Sequence, residues 1–170
     1  MENDRITRQE LTHFDETGRA RMVDVGLKSA TARVAIARSI ISMQEETLRM
    51  VREGSVAKGD VLAVAQVAAV MAAKRTSDVI PMCHPILITG VDAAFAFPDD
   101  TTLMLDVTVG TTGPTGVEME ALTAAAIGAL TVYDMCKAID RAMSITFLGL
   151  LEKDGGKSGH FVRQQENGRV

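Results

Sequence analysis

The stretch VEMEALTAAAIGALTVYDMCKAIDR, residues Val117 to Arg141, decides the fold. Its alanines and other good helix formers predict one long helix. Between Ala121 and Val132 every residue is apolar, glycine or threonine, so this helix has no polar face. Because a helix that is apolar all round has to be buried, the rest of the chain must supply the layers that cover it.

Four segments around this helix predict β-strands, because apolar residues alternate with polar or small ones. They are Arg33 to Ile41, Ile86 to Phe97, Thr102 to Thr108 and Ser144 to Leu151. The turn Pro98-Asp99-Asp100 joins the second segment to the third and predicts a hairpin. Gly110 to Gly116 is rich in glycine, threonine and proline, which predicts a loop.

Two shorter helices precede the hairpin. One covers Gln44 to Glu53, and the other covers Val61 to Lys74, where Asp60 can cap the first turn. The resulting order is β-α-α-β-β-α-β. It predicts one α+β domain over residues 1–170, with helices packed on one face of an antiparallel sheet and an ordered core over about 11–163.

The composition excludes several classes of function. A net charge of −4 argues against a nucleic-acid partner, and the apolar stretch Val61 to Ala73 is too short to span a membrane. Residues 1–10 are charged and lack the apolar segment of a signal peptide. The two cysteines, Cys83 and Cys136, form no disulfide pattern, so we expect a soluble protein in the reducing cytoplasm.

Asp134 and Lys137 stand three residues apart near the end of the long helix and therefore share a face. Such a pair is commonly a surface ion pair that contributes little. On an otherwise apolar helix a cleft or an interface is favoured, where the pKa values of both groups can be tuned for proton transfer. Lys58 precedes a helix N-terminus and, taken alone, is more typical of a solvated lysine than of an anion-binding one.

Met82, Cys83 and His84 lie between Pro81 and Pro85, which exclude a helix and predict a shaped turn. With two cysteines and three histidines in the chain there is no zinc-ligand spacing, so we expect no structural metal. Two roles of His84 fit this pattern equally well. Its side chain either holds a ligand or moves a proton, or it is only packed in the fold.

Glu118 and Glu120 open the long helix. Thr115 and Glu118 match a capping box, which explains Glu118 better than Glu120. Alternatively, the two carboxylates bind the amino and imino edge of a purine or pterin.

Basic residues recur at loops and helix ends of this acidic chain, a pattern that suits a polyphosphate ligand. They are Arg33, Lys58, Lys74, Arg75, Lys137, Lys153 and Lys157. The segment Gly155 to Gly159 (GGKSG) is not a P-loop, because Leu151 stands where that motif requires its first glycine. It predicts a flexible loop that can close on phosphates.

Six segments, in order over about residues 11–163, resemble the molybdenum cofactor biosynthesis protein C family. They are HFDETGRARMVD (His13–Asp24), KGD (Lys58–Asp60), AAKRTSDVIPMCHP (Ala72–Pro85), GVEMEALTA (Gly116–Ala124), YDMCKA (Tyr133–Ala138) and GGKSG (Gly155–Gly159). The resemblance implies a ferredoxin-like subunit in a homohexamer, a trimer of dimers with active sites at subunit interfaces. It also implies a lyase that converts cyclised dihydroguanosine triphosphate to cyclic pyranopterin monophosphate and releases pyrophosphate.

By the same resemblance, Asp134 is the catalytic acid/base, with Lys137 and Lys58 as its partners. The implied substrate-binding residues are Met82, Cys83, His84, Glu118, Met119 and Glu120, with Arg33, Lys74, Lys153 and Lys157 at the phosphates. The sequence requires no cofactor, and any Mg²⁺ would arrive with the triphosphate. Pro114 departs from the family pattern, which has a basic residue there.

Three rival functions make different demands on the chain. A non-catalytic nucleotide or pterin sensor would not need Lys58, Asp134 and Lys137 together. A scaffold that only assembles a ring would not need the turn around His84, and a nucleotide hydrolase would need the missing P-loop glycine.

Overall fold

The computed structural model describes Arg19, residues 22–157 and residues 159–164. In chain order its elements are β1 (Thr31–Ser42), α1 (Glu45–Arg52), α2 (Val61–Ala73), α3 (Thr76–Val79), β2 (Ile88–Ala96), β3 (Thr102–Gly113), α4 (Glu118–Cys136), β4 (Ser144–Asp154) and β5 (Phe161–Val162). Most of the segment His13–Asp24, and Ser158 of the glycine-rich loop, lie outside the described residues. No helix in the described part of the chain is long and apolar enough to cross a membrane.

The five strands form one antiparallel sheet in the order β2-β3-β1-β4-β5. The central strand is β1, in which Ala37 lies opposite Val107 of β3 on one side and Leu150 of β4 on the other. Apart from the added elements α1, α3 and β5, the chain order β-α-β-β-α-β is that of a ferredoxin-like fold. The predicted fold class is confirmed.

One face of the sheet carries the core. Alternate residues of β1 and β3, such as Ala35, Ala37 and Leu105, are fully buried against the helices α2 and α4. These helices approach closely because their facing residues are small. At Gly128 of α4, a Cβ atom would collide with Leu105 and would touch Ala69 of α2. The close contact explains why both helices are rich in alanine.

The long apolar helix is only partly covered within the subunit. Ile127 and Leu130 of α4 expose 38% and 52% of their surface, and Val67 of α2 exposes 59%. The prediction that α4 is buried on all sides is therefore wrong for a single subunit. Its sequence contains an apolar stripe that the subunit itself does not cover.

Two predicted boundaries are also wrong. The strand β3 continues through the predicted Gly110–Gly116 loop as far as Gly113, because β1 offers it pairing partners down to Thr31. The helix α4 ends at Cys136 rather than at Arg141. There the chain turns so that the buried Asp140 carboxylate accepts hydrogen bonds from the backbone N–H groups of Gln44 and Ala142.

Candidate functional site

A cavity of about 440 Å³ opens at the N-terminal end of α4, and we call it the acidic cavity. It is enclosed by the proline-bracketed turn, the first turn of α4 and residues 23–28. The six residues that the resemblance assigns to this part of the substrate all line it: Met82, Cys83, His84, Glu118, Met119 and Glu120. Residues from distant parts of the sequence therefore converge at this cavity.

Two carboxylates give this cavity its chemistry. Glu120 is buried, with 3% of its surface exposed, whereas Glu118 is half-buried and lies 3.1 Å from the Nζ atom of Lys153. Burial raises the pKa of Glu120, and the charge of Glu118 raises it further. Burial and the charge of Glu120 likewise raise the pKa of Cys83, which keeps its thiol protonated. The cavity suits a ligand edge that carries several N–H donors.

His84 makes a hydrogen bond to the chain itself. Its Nε2 atom lies 2.7 Å from the carbonyl oxygen of Val23. Because a carbonyl oxygen can only accept, Nε2 carries the proton in this contact. In the neutral ring, Nδ1 is then the acceptor nitrogen.

A second cavity, of about 570 Å³, adjoins the first, and we call it the basic cavity. The two share Lys28, Thr115, Gly116 and Glu118, so one extended ligand can occupy both. The basic cavity also receives Arg33 from β1 and Lys157 from the glycine-rich loop. Three cationic side chains against one carboxylate favour a polyanionic ligand.

Arg33 holds the loops of the basic cavity together. Its Nε atom donates to the carbonyl of Gly113 at 3.0 Å, and its Nη2 atom donates to the carbonyl of Pro114 at 3.2 Å. Gly156, with a φ of 75°, lies directly against the guanidinium, where a Cβ atom would overlap Nη1. Only glycine meets both requirements, so Gly156 lets the loop that carries Lys157 pack on Arg33.

Asp134, Lys58 and Lys137 form a third group, the Lys58 cluster, at the other end of α4. Lys137 Nζ lies 2.6 Å from Asp134 Oδ1, and Lys58 Nζ donates to the Asp134 carbonyl at 2.7 Å. The hydrogen bond from Lys137 and the charges of both lysines lower the pKa of Asp134, and Asp134 in turn raises the pKa of Lys137. The resting pair is therefore a carboxylate and an ammonium. A cavity of about 350 Å³ beside it is lined by Lys58, Tyr133, Lys137, Ala138 and Arg141.

The predicted catalytic and substrate-binding residues are far apart in one subunit. Asp134 stands sixteen positions after Glu118 in α4, which corresponds to about 24 Å along the helix axis. Lys74 is the exposed C-cap of α2 and does not belong to the described lining of the three cavities. The two groups of predicted residues thus lie at opposite ends of α4, and we call them the candidate half-sites.

Comparison with protein families matches residues 22–156 to the MoaC family. The chain belongs to the MoaC family. Among its curated relatives, a cyclic pyranopterin monophosphate synthase of Desulfitobacterium hafniense is 62% identical over 91% of this chain and 95% of its own length. Synthases of the same name from Brevibacillus brevis and Heliobacterium modesticaldum are 62% and 58% identical, over 92% and 91% of this chain and 98% of their own lengths. The predicted resemblance to this family is confirmed.

In this MoaC-family subunit, Lys28 is the main residue that sequence reasoning missed. It lines both adjoining cavities, yet the sequence around it has no helix or strand pattern that would place it. Pro114, where the resemblance predicts a basic residue, lines the basic cavity, and Lys28 brings a cation to that same cavity. Arg141, beside the Lys58 cluster, was missed because it was expected inside the helix. Within the described residues, no three His, Cys, Asp or Glu side chains lie close enough to hold a metal ion.

Proposed function

We propose that this protein is a cyclic pyranopterin monophosphate synthase, a lyase of molybdenum cofactor biosynthesis. MoaC-family relatives with that name align with more than nine-tenths of the chain. The structural observation that carries the proposal is the continuity of the acidic cavity with the basic cavity. A base with N–H donors fits the first, and an attached triphosphate fits the second.

The proposed substrate is cyclised dihydroguanosine triphosphate. Glu118 and Glu120 accept hydrogen bonds from the amino and imino groups of its base, with Met82, Cys83, His84 and Met119 around them. Lys28, Arg33 and Lys157 neutralise the phosphates, and Lys153 approaches them through its ion pair with Glu118. Lys74 lies outside these cavities, so we propose that it acts from a neighbouring subunit.

The Lys58 cluster supplies the proton transfers. Opening the imidazole ring of the base delivers a proton to the released nitrogen, and closing the pyrazine ring returns one. Lys137 is held as an ammonium by Asp134, so it begins as the acid, and Asp134 and Lys58 relay the proton. When the cyclic phosphate forms, one P–O bond is made and another breaks to release pyrophosphate, whose charge the basic side chains stabilise.

The active site we propose is shared between subunits. Since about 24 Å of α4 separates the two half-sites, the Lys58 cluster of one subunit must face the cavities of another. Apolar side chains that α2 and α4 leave exposed, including Val64, Met71 and Leu130, support assembly. From the family resemblance we propose a homohexamer built as a trimer of dimers. The cytoplasmic location and the arrival of any Mg²⁺ with the triphosphate stay predictions.

The test is a coupled turnover assay with cyclised dihydroguanosine triphosphate, in which pyrophosphate and the pterin product are both measured. Wild type should form both, whereas Asp134→Asn and Lys137→Ala should lose at least about a hundredfold in turnover with the oligomer intact. Arg49→Gln, an exposed change on α1, is the matched control and should keep full activity. A wild type that binds the substrate but never releases pyrophosphate would overturn the proposal in favour of a sensor.

A further inference from the structure

We propose that His84 is a positioning residue that holds residues 22–28, here called the N-terminal segment, across the two cavities and so keeps Lys28 at the phosphates. The proposal rests on the proposed function for the identity of the ligand. The hydrogen bond between His84 and Val23 does not depend on that function, because it forms within a single subunit.

One face of the N-terminal segment packs against the rest of the protein. Val23 and Val25 are half-buried and line the acidic cavity, while Met22, Asp24 and Gly26 between them are exposed. Two local turns then redirect the chain. The Asp24 carboxylate accepts from the Gly26 N–H at 2.8 Å, and the Val25 carbonyl accepts from the Lys28 N–H at 3.0 Å. These turns bring Lys28 back to the boundary between the cavities.

The hydrogen bond from His84 Nε2 to Val23 is the tether of this segment. Among the described residues, it is the only hydrogen bond that joins the backbone of residues 22–28 to the rest of the fold. His84 itself is half-buried in the turn between Pro81 and Pro85, so the donor is fixed by a restrained backbone. A bond of this kind typically changes a local equilibrium by about tenfold.

The tether links recognition of the base to the placement of the phosphate-binding cation. His84 lines the acidic cavity, and the segment it holds carries Lys28 into the basic cavity. Loss of the tether should therefore weaken the binding of phosphates that His84 itself does not approach. A His84 that only contacts the base would have no such effect.

Amide hydrogen exchange measured by mass spectrometry tests the tether without turnover. In His84→Ala, peptides that cover residues 22–28 should exchange about tenfold faster, while peptides from α4 stay protected. In His84→Gln, whose amide can donate to the Val23 carbonyl, exchange should return to within about threefold of wild type. His160→Ala is the matched control, since that imidazole pairs with Glu152 on β4 instead, and it should leave the segment unchanged.

Calorimetry with inorganic triphosphate then tests the link to Lys28. His84→Ala and Lys28→Ala should each weaken binding by roughly tenfold, and the double variant should lose little more than either alone. Unchanged exchange at residues 22–28 in His84→Ala, or losses that add fully in the double variant, would overturn the proposal. If exchange and binding respond as expected but wild type never releases pyrophosphate, the proposed function fails and the tether stands.

Discussion

At the scale of single residues, the environment of Glu120 makes stability depend on pH. Burial at the base of the acidic cavity raises the pKa of this carboxyl group above its ordinary value of 4.5. The folded protein therefore binds this proton more tightly than the unfolded chain does. The corresponding stability is fully present below about pH 4.5 and is lost as the pH rises through the folded-state pKa.

Glu120→Gln should remove the loss of stability that accompanies ionisation of Glu120. We expect the variant to gain thermal stability relative to wild type as the pH is raised from about 4.5 to 8, because an amide does not ionise. Its synthase activity should fall, since a carboxylate that accepts N–H donors has gone. Melting temperatures of both proteins across this pH range test the point. A stability difference that stays constant with pH would contradict it.

Ser39 presents a different residue-scale feature, a buried hydroxyl without a partner. Its Oγ atom is inaccessible and has no hydrogen-bond partner in the described part of the chain. Ser39→Ala should therefore be neutral or stabilise the fold by up to about 1 kcal/mol in chemical unfolding. The matched control is Thr76→Val, which removes a buried hydroxyl that does bond to the Ala72 and Ala73 carbonyls. The control should lose about 1 kcal/mol, and equal losses in the two variants would refute the argument.

At the scale of elements, Asp140 connects the end of α4 to the start of α1. Its buried carboxylate accepts from the Gln44 N–H at 2.8 Å and from the Ala142 N–H at 3.0 Å. Lys137 of the Lys58 cluster is the C-cap of α4, so this junction follows the cluster directly in the chain.

Asp140→Ala should lower the free energy of unfolding by about 2–3 kcal/mol, because two backbone N–H groups lose the buried carboxylate that accepts from both of them. For comparison, Asp60→Ala removes the exposed N-cap of α2, whose side chain accepts from Ala63, and should cost about 1 kcal/mol. Urea unfolding of both variants measures the difference. If the two substitutions lower the free energy of unfolding equally, the hydrogen bonds of Asp140 stabilise the fold no more than an ordinary N-cap does.

At the scale of the whole molecule, the separation of the half-sites predicts that defective subunits complement each other. Lys137→Ala disables the Lys58 cluster, and Lys157→Ala with Glu118→Gln disables the cavities. In randomly mixed oligomers, about a quarter of the sites combine an intact cavity with an intact cluster, if each site joins two subunits. About a quarter of wild-type activity should therefore return after unfolding and refolding the two together.

The control for complementation mixes Lys137→Ala with Asp134→Asn, which damage the same half-site and should restore nothing. Sedimentation should give the mass of six chains of 18.2 kDa, about 109 kDa. Complementation that fails while this hexamer forms would show that each site lies within one subunit.

The sequence by itself determined the fold class and the family. Alternation in the segment that became β3 and the uniformly apolar α4 predicted a sheet covered by helices, because periodicity reports which faces are buried. The six segments carried the resemblance to the family that the comparisons show.

Only the tertiary structure decided where elements end and which residues meet. The strand β3 extends to Gly113 because β1 offers it partners, and α4 stops at Cys136, after which Asp140 reaches Gln44. The tertiary structure also decided that Lys28 lines both cavities and how far apart the half-sites lie. The physical reason is that strand pairing, capping and cavity lining depend on neighbours in space that lie far apart in the chain, which a local pattern does not encode.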